Sequence, residues 1–287
     1  MPKRIALIGT TGTNSRHWTG AFLKAGWSVR SLMRDPTRLS PRSHQTAERF
    51  DLDNPGTYER ALARADVLGL VTPPDLKQVE RESALIAAAR RAGVGRIIKV
   101  SVIGADMPAP ISQFARWSKE IEAILAAAQI PHVVLRPTTY MQNLLRQRKT
   151  IDAGTYTEPL GSARITSIDV RDTADAALAV AGGGFDGRAL VLTGSEALTG
   201  PEIAAVLSEG CGHAVRFVSP DLQSFEAALD AQGTPAWRAN SHLELYGAIQ
   251  GGRAPHLAVV SNDFMTLTGK KPRTLLQFVR TEFANQQ

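Results

Sequence analysis

Residues 7–18 read LIGTTGTNSRHW: an apolar run, a turn carrying Gly9 and Gly12, and then a segment with helical patterning. The stretch Gly9-Thr10-Thr11-Gly12-Thr13-Asn14-Ser15 has the spacing G-x-x-G-x-x-small. Small residues suit a loop whose backbone N–H groups must approach a pyrophosphate, with a helix N-terminus aimed at its charge. Ser15 stands where a third glycine is usual; it is small enough for close helix–strand packing and can act as an N-cap. Arg16 places a cation in a first helical turn, which opposes the helix dipole unless an anion or water takes it up.

Outward from this loop the first half of the chain alternates in kind. Strand patterns cover residues 4–8, 27–33, 47–50, 67–71, 96–101 and 132–135, and helical patterns cover 15–25, 55–63, 77–92 and 112–128. Gly26 and Gly93 follow two of the helices where a left-handed cap is wanted. Such alternation predicts an α/β fold, a Rossmann-type doubly wound parallel sheet. Trp18, Ala21, Phe22 and Ala25 share one helical face, so Trp18 is expected in the core. After Leu145 the rhythm changes: 161–181 reads as a strand, a loop with two aspartates and an alanine-rich helix. We therefore expect a dinucleotide-binding domain over 1–155 and a smaller, mostly helical substrate lobe over 156–287, with a strand at 188–193 returning to the main sheet.

The end of the second strand selects the cofactor. A carboxylate there would bind the ribose 2′-OH of NAD, and an arginine the 2′-phosphate of NADP. The residues are Met33-Arg34-Asp35-Pro36-Thr37-Arg38. Arg34 and Arg38 can both reach a phosphate, whereas Asp35 before Pro36 suits a local turn. NADPH is expected ahead of NADH.

Composition sets limits. With 43% hydrophobic and 21% charged residues the chain reads as an ordinary soluble globular protein. No apolar stretch approaches the roughly 20 residues of a membrane helix, and the opening run is too short for a signal peptide. A single cysteine, Cys211, excludes an internal disulfide and suits the cytoplasm. The net charge of +6 comes without a basic helix interleaved with aromatics, so a field around an anionic cofactor is expected, not nucleic-acid binding. The histidines lack metal-ligand spacing, and no G-x-S-x-G elbow is present.

GTTGTNS, MRDPTRL, Asp51-Leu52, LVTPP, KVSVIGAD, LRPTTYMQNL, SIDVRDTADAA and LTGKKPRTLLQF together resemble the NmrA-like branch of the atypical short-chain dehydrogenase/reductases. That branch includes quinone, triphenylmethane-dye and iminium reductases and redox-sensing regulators. The resemblance implies that Gly9, Thr11, Gly12, Thr13, Asn14 and Ser15 take the pyrophosphate, with Arg34 and Arg38 on the 2′-phosphate. It further implies Asp51 and Leu52 beside the adenine, Thr72 and Pro73 beneath the cofactor, and Ser101, Pro137, Thr138 and Tyr140 toward the nicotinamide. The Tyr-x-x-x-Lys pair of many short-chain dehydrogenases does not occur, and the position where many NmrA-like members have Lys or His is Ser118. Lys119 is turned away by about 100° along the helix.

Without a strong side-chain acid, hydride acceptors activated in advance are favoured: a quinone, an iminium or a similar small conjugated electrophile. Ser101 or Tyr140 would hydrogen-bond a developing oxyanion or relay a proton. Trp237 and Tyr246 offer walls for a substrate pocket. The competing expectation is a non-catalytic NAD(P)-sensing regulator that binds a partner protein. A monomer or homodimer is expected.

Overall fold

The computed structural model describes residues 2–9, 12–40 and 42–283. In chain order the first elements are β1 (Arg4–Ile8), α1 (Thr13–Lys24), β2 (Ser28–Met33), β3 (Gln45–Arg49), α2 (Tyr58–Leu62), β4 (Val67–Leu70), α3 (Gln78–Arg91), β5 (Arg96–Val100), α4 (Gln113–Ala127) and β6 (His132–Pro137). They are followed by β7 (Thr139–Tyr140), α5 (Arg148–Asp152), β8 (Thr155–Thr157), β9 (Arg164–Ile168), α6 (Val170–Ala181) and β10 (Ala189–Leu192). The last are β11 (Ala197–Thr199), α7 (Gly200–Cys211), β12 (Arg216–Val218), α8 (Leu222–Ala231), α9 (Ala236–Gln250), α10 (Asp263–Thr268) and α11 (Leu275–Glu282).

The main sheet has seven strands in the order β10-β6-β5-β4-β1-β2-β3. Pairings β3–β2, β2–β1, β1–β4, β4–β5 and β5–β6 are all parallel. The Rossmann-type α/β expectation is thus met, with the order reversing at β1, flanked by β2 and β4. Ligands bind at such a switch point, outside the carboxyl ends of the strands. Every residue of β4 is buried, as is all of β1 after Arg4, as expected of parallel strands covered on both faces. Trp18 and Phe22 of α1 are fully buried, each large apolar side chain adding about 1.5–3 kcal/mol. Gly26 and Gly93 take φ of 80° and 69° after α1 and α3, as the sequence led us to expect.

Helix α1 starts earlier than the sequence suggested: its N-cap is Gly12, not Ser15. Ser15 lies inside the first turn and donates its hydroxyl to the Ile8 carbonyl at 2.6 Å, tying helix to strand instead of capping.

The chain divides into two compact units, each assembled from separate segments. The first comprises Met1–Ala105, Trp117–Arg136 and Thr173–Leu190; the second comprises Asp106–Arg116, Pro137–Asp172 and Val191–Gln287. Within the second, a three-stranded sheet β11-β9-β7 and a β12-β8 pair accompany a core that includes Ile151, Leu207, Phe278 and Val279. The two aspartates expected in a loop are buried there, Asp169 just ahead of α6 against Arg171, and Asp172 inside the first turn of α6 against Arg273.

Candidate functional site

The turn after β1 is shaped for an anion. Gly9 has φ +63°, a conformation glycine adopts without strain, and its carbonyl accepts the Gly12 N–H at 2.8 Å. A Cβ on Gly12 would stand 3.3 Å from that carbonyl, a tight contact that a glycine avoids. Among the described residues no side chain caps α1, and no acidic residue occupies its first turn, so the positive dipole end of the helix suits a phosphate. Thr13 and Arg16 are exposed at this end, and Asn14 Oδ1 accepts the Thr173 hydroxyl at 3.2 Å. Thr11 lies outside the described residues. The loop fits a dinucleotide pyrophosphate.

Beyond β2, Asp35 is occupied locally. Its carboxylate accepts the Thr37 N–H at 3.1 Å and the Thr37 hydroxyl at 2.6 Å, capping the short 3-10 turn Pro36–Arg38. Those hydrogen bonds from Thr37 hold its pKa below the ordinary carboxylate value. Arg34 and Arg38 are both exposed, and neither joins a salt bridge among the described residues. Arg49, which the sequence reading missed, ends β3 in register with Met33 and adds a third cation at these strand ends. The charge pattern fits a 2′-phosphate.

Asp51 and Leu52 follow β3 in a loop pinned by its own hydrogen bonds. The Asp51 N–H donates to Thr57 Oγ1, Asp51 Oδ1 accepts the Asp53 N–H, and the Leu52 carbonyl accepts the Tyr58 hydroxyl at 2.7 Å. Arg81 of α3 bridges Asp53 and Asp75, linking this loop to the one after β4.

Two ionic clusters, one buried and one partly buried, underlie the ends of β4 and β5. Thr72 donates its hydroxyl to Glu82, which also accepts from Gln78 at 2.9 Å and pairs with Lys99 at 2.9 Å. Glu82 and Lys99 are essentially inaccessible, at 0% and 1%. Pro73 follows Thr72 in the exposed part of the loop. On the next strand, Ser101 donates to Glu122 Oε1 at 2.5 Å, and Arg136 grips both oxygens of that carboxylate at 3.1 and 2.5 Å. Ser118 is buried on the inner face of α4, one turn before Glu122, while Lys119 is exposed.

The remaining expected residues belong to the second unit. Pro137 and Thr138 are buried, and the Thr138 hydroxyl donates to the Thr166 carbonyl at 2.8 Å. Tyr140 is half-buried on β7. Trp237 is half-buried and meets Phe114 edge-on at 6.3 Å. The Tyr246 hydroxyl donates to Glu158, so its polar end already has a partner. Burial pushes the Tyr246 phenol and the Glu158 carboxyl up in pKa.

Sequence reading did not single out Glu82, Lys99, Glu122 or Arg136. Glu122 was within reach of it, since it sits four residues after Ser118 on the same helical face.

A family model described as the NmrA-like family matches residues 1–246. Over 98% of both chains, the protein is 33% identical to an NAD(P)H azoreductase of Xenophilus azovorans. It is 32% identical, over 80% of this chain and 82% of the other, to a (4-alkanoyl-5-oxo-2,5-dihydrofuran-3-yl)methyl phosphate reductase of Streptomyces griseus. An NADPH-dependent quinone oxidoreductase of Escherichia coli, solved with NADPH, superposes with a TM-score of 0.85 over 97% of this chain and 99% of its own, at 24% identity. That last likeness bears on the fold.

Proposed function

This chain belongs to the NmrA-like family, and from that premise we propose that it is an NADPH-dependent reductase delivering hydride to a small conjugated electrophile such as a quinone or an iminium. It is an NAD(P)H-dependent oxidoreductase, in keeping with the azoreductase that matches its full length. The carrying observation is the state of Asp35: its carboxylate is engaged by Thr37 while Arg34 and Arg38 stay exposed, so the end of β2 offers cations in place of a ribose-binding acid. Gly9, Gly12, Thr13, Asn14 and Ser15 would hold the pyrophosphate. Asp51 and Leu52 would border the adenine, and Thr72, Pro73, Ser101, Pro137 and Thr138 the nicotinamide half. Tyr140, Trp237 and Tyr246 are assigned to the acceptor.

Bound there, the cofactor would supply hydride, a proton together with two electrons. The chain's part is to hold it, orient it and exclude water; a neutral acceptor draws its balancing proton from solvent. The sequence, with no Tyr-x-x-x-Lys spacing, favours acceptors that need no obligatory acid.

Stopped-flow oxidation of enzyme-bound NADPH by a panel of quinones, azo dyes, iminium ions and ketones tests this reading. Fast turnover with the first three and none with ketones is expected, at lower Kd for NADPH than for NADH. Tight NADPH binding without oxidation by any acceptor would sink the reductase and leave a dinucleotide-sensing regulator.

A further inference from the structure

A serine hydroxyl has one proton to give. That of Ser101 goes to Glu122, and because a carboxylate oxygen can only accept, the direction of this 2.5 Å bond is fixed. Arg136 holds the same carboxylate through Nε and Nη2, and a charged acceptor makes the stronger claim on the proton. To any third group, Ser101 therefore presents lone pairs. The neighbouring strand end repeats the device: Thr72 gives its proton to Glu82, whose charge is met by Lys99. Lys99 and Ser101 are two apart on β5 and its extension, so both clusters lie on the same face of the sheet.

We infer that Glu122, clamped by Arg136, is a positioning residue that makes Ser101 a hydrogen-bond acceptor toward the nicotinamide, favouring the oxidised, cationic ring over the reduced, neutral one. This rests on the assignment of the ends of β4 and β5 to the nicotinamide, and it reverses the expectation that Ser101 donates to a substrate oxyanion. When hydride passes to the acceptor, the electron pair goes with it and a positive charge is left on the ring. An oxygen lone pair backed by a carboxylate is oriented for that charge before it forms. Ser101 supplies no proton; a neutral acceptor is protonated by water, and a cationic one needs none.

The test is the ratio of Kd values for NADP+ and NADPH, measured by titration calorimetry with no acceptor present. Ser101→Ala and Glu122→Gln should each weaken NADP+ relative to NADPH by about tenfold, the lower end of what one hydrogen bond to a charged group is worth. The double variant should change the ratio no further, because the two residues act as one unit. Ser101→Thr, which keeps the hydroxyl, should return the wild-type ratio. A ratio within twofold of wild type in Ser101→Ala, or independent losses that multiply in the double variant, would overturn the inference. Should Glu122→Gln fail to fold, the Ala and Thr variants at 101 decide alone, since they leave the Glu122–Arg136 pair in place. Wild type that binds both dinucleotides but reduces nothing refutes the reductase, and the ratios still judge the role of Ser101.

Discussion

Asp172 is buried at the start of α6, where it accepts the Arg273 N–H at 2.8 Å and pairs with the Arg273 guanidinium. Burial pushes its pKa up from 3.8 to about 6, and the bonds from Arg273 offset this only in part. A carboxyl whose folded pKa lies above its unfolded one stabilises the fold below the unfolded value, and that contribution is lost as pH rises through the folded one. A displacement of this size is worth about 3 kcal/mol at most. Asp172→Asn keeps an oxygen for the Arg273 N–H and removes the titration. In melts from pH 4 to pH 7.5, the variant should gain on wild type progressively as pH rises, most steeply near pH 5, between 3.8 and about 6, and should level off above that. A constant gap between the two curves would refute the assignment. Asp35 is the opposite case, an exposed carboxylate whose local bonds hold its pKa down. Its role as a turn cap was legible from Pro36 alone, because Asx turns are decided by immediate neighbours.

Strand β4 packs against β1 and α1 with no room to spare. Gly69 lies opposite Leu7 in the register, and a Cβ there would come within 2.4 Å of Leu7 Cδ2 and 3.2 Å of Trp18 Cζ3. Gly69→Ala should cost about 1–3 kcal/mol through overpacking, read as a lower urea midpoint with unchanged far-UV circular dichroism. The alternation of elements in this unit could be read from sequence because each helix and strand carries its own period. The true start of α1 could not, since Ser15 is a good cap by type and only the nearby Ile8 carbonyl diverts it. The Ser101–Glu122–Arg136 cluster was hidden for a related reason. Its members lie 21 and 14 positions apart on two strands and a helix, and only the register of β5 on β6 aligns them.

On the scale of the whole molecule, the chain carries a net charge of +6, and Arg34, Arg38 and Arg49 lie together at the ends of β2 and β3, which suits the polyanionic cofactor proposed. The two units are assembled from separate segments; from the sequence we expected a boundary near 155 with only the strand at 188–193 returning to the main sheet. Nothing local marks 106–116 or 173–190 as belonging to different bodies; tertiary packing decides that. Among the described residues no helix is long and apolar enough to cross a membrane. The bare N-terminus of α1 has a consequence beyond chemistry. A helix whose end is capped by its ligand would link occupancy to folding. NADPH at a hundred times its Kd should add about 2.7 kcal/mol to the free energy of unfolding. The melting temperature then works as a gauge of the dinucleotide pool, and equal melting curves with and without NADPH would show that the helix end does not bind it. In a cell whose total pool of this dinucleotide runs low, oxidised and reduced together, this molecule would be the more readily unfolded and cleared, so its abundance would follow the size of that pool.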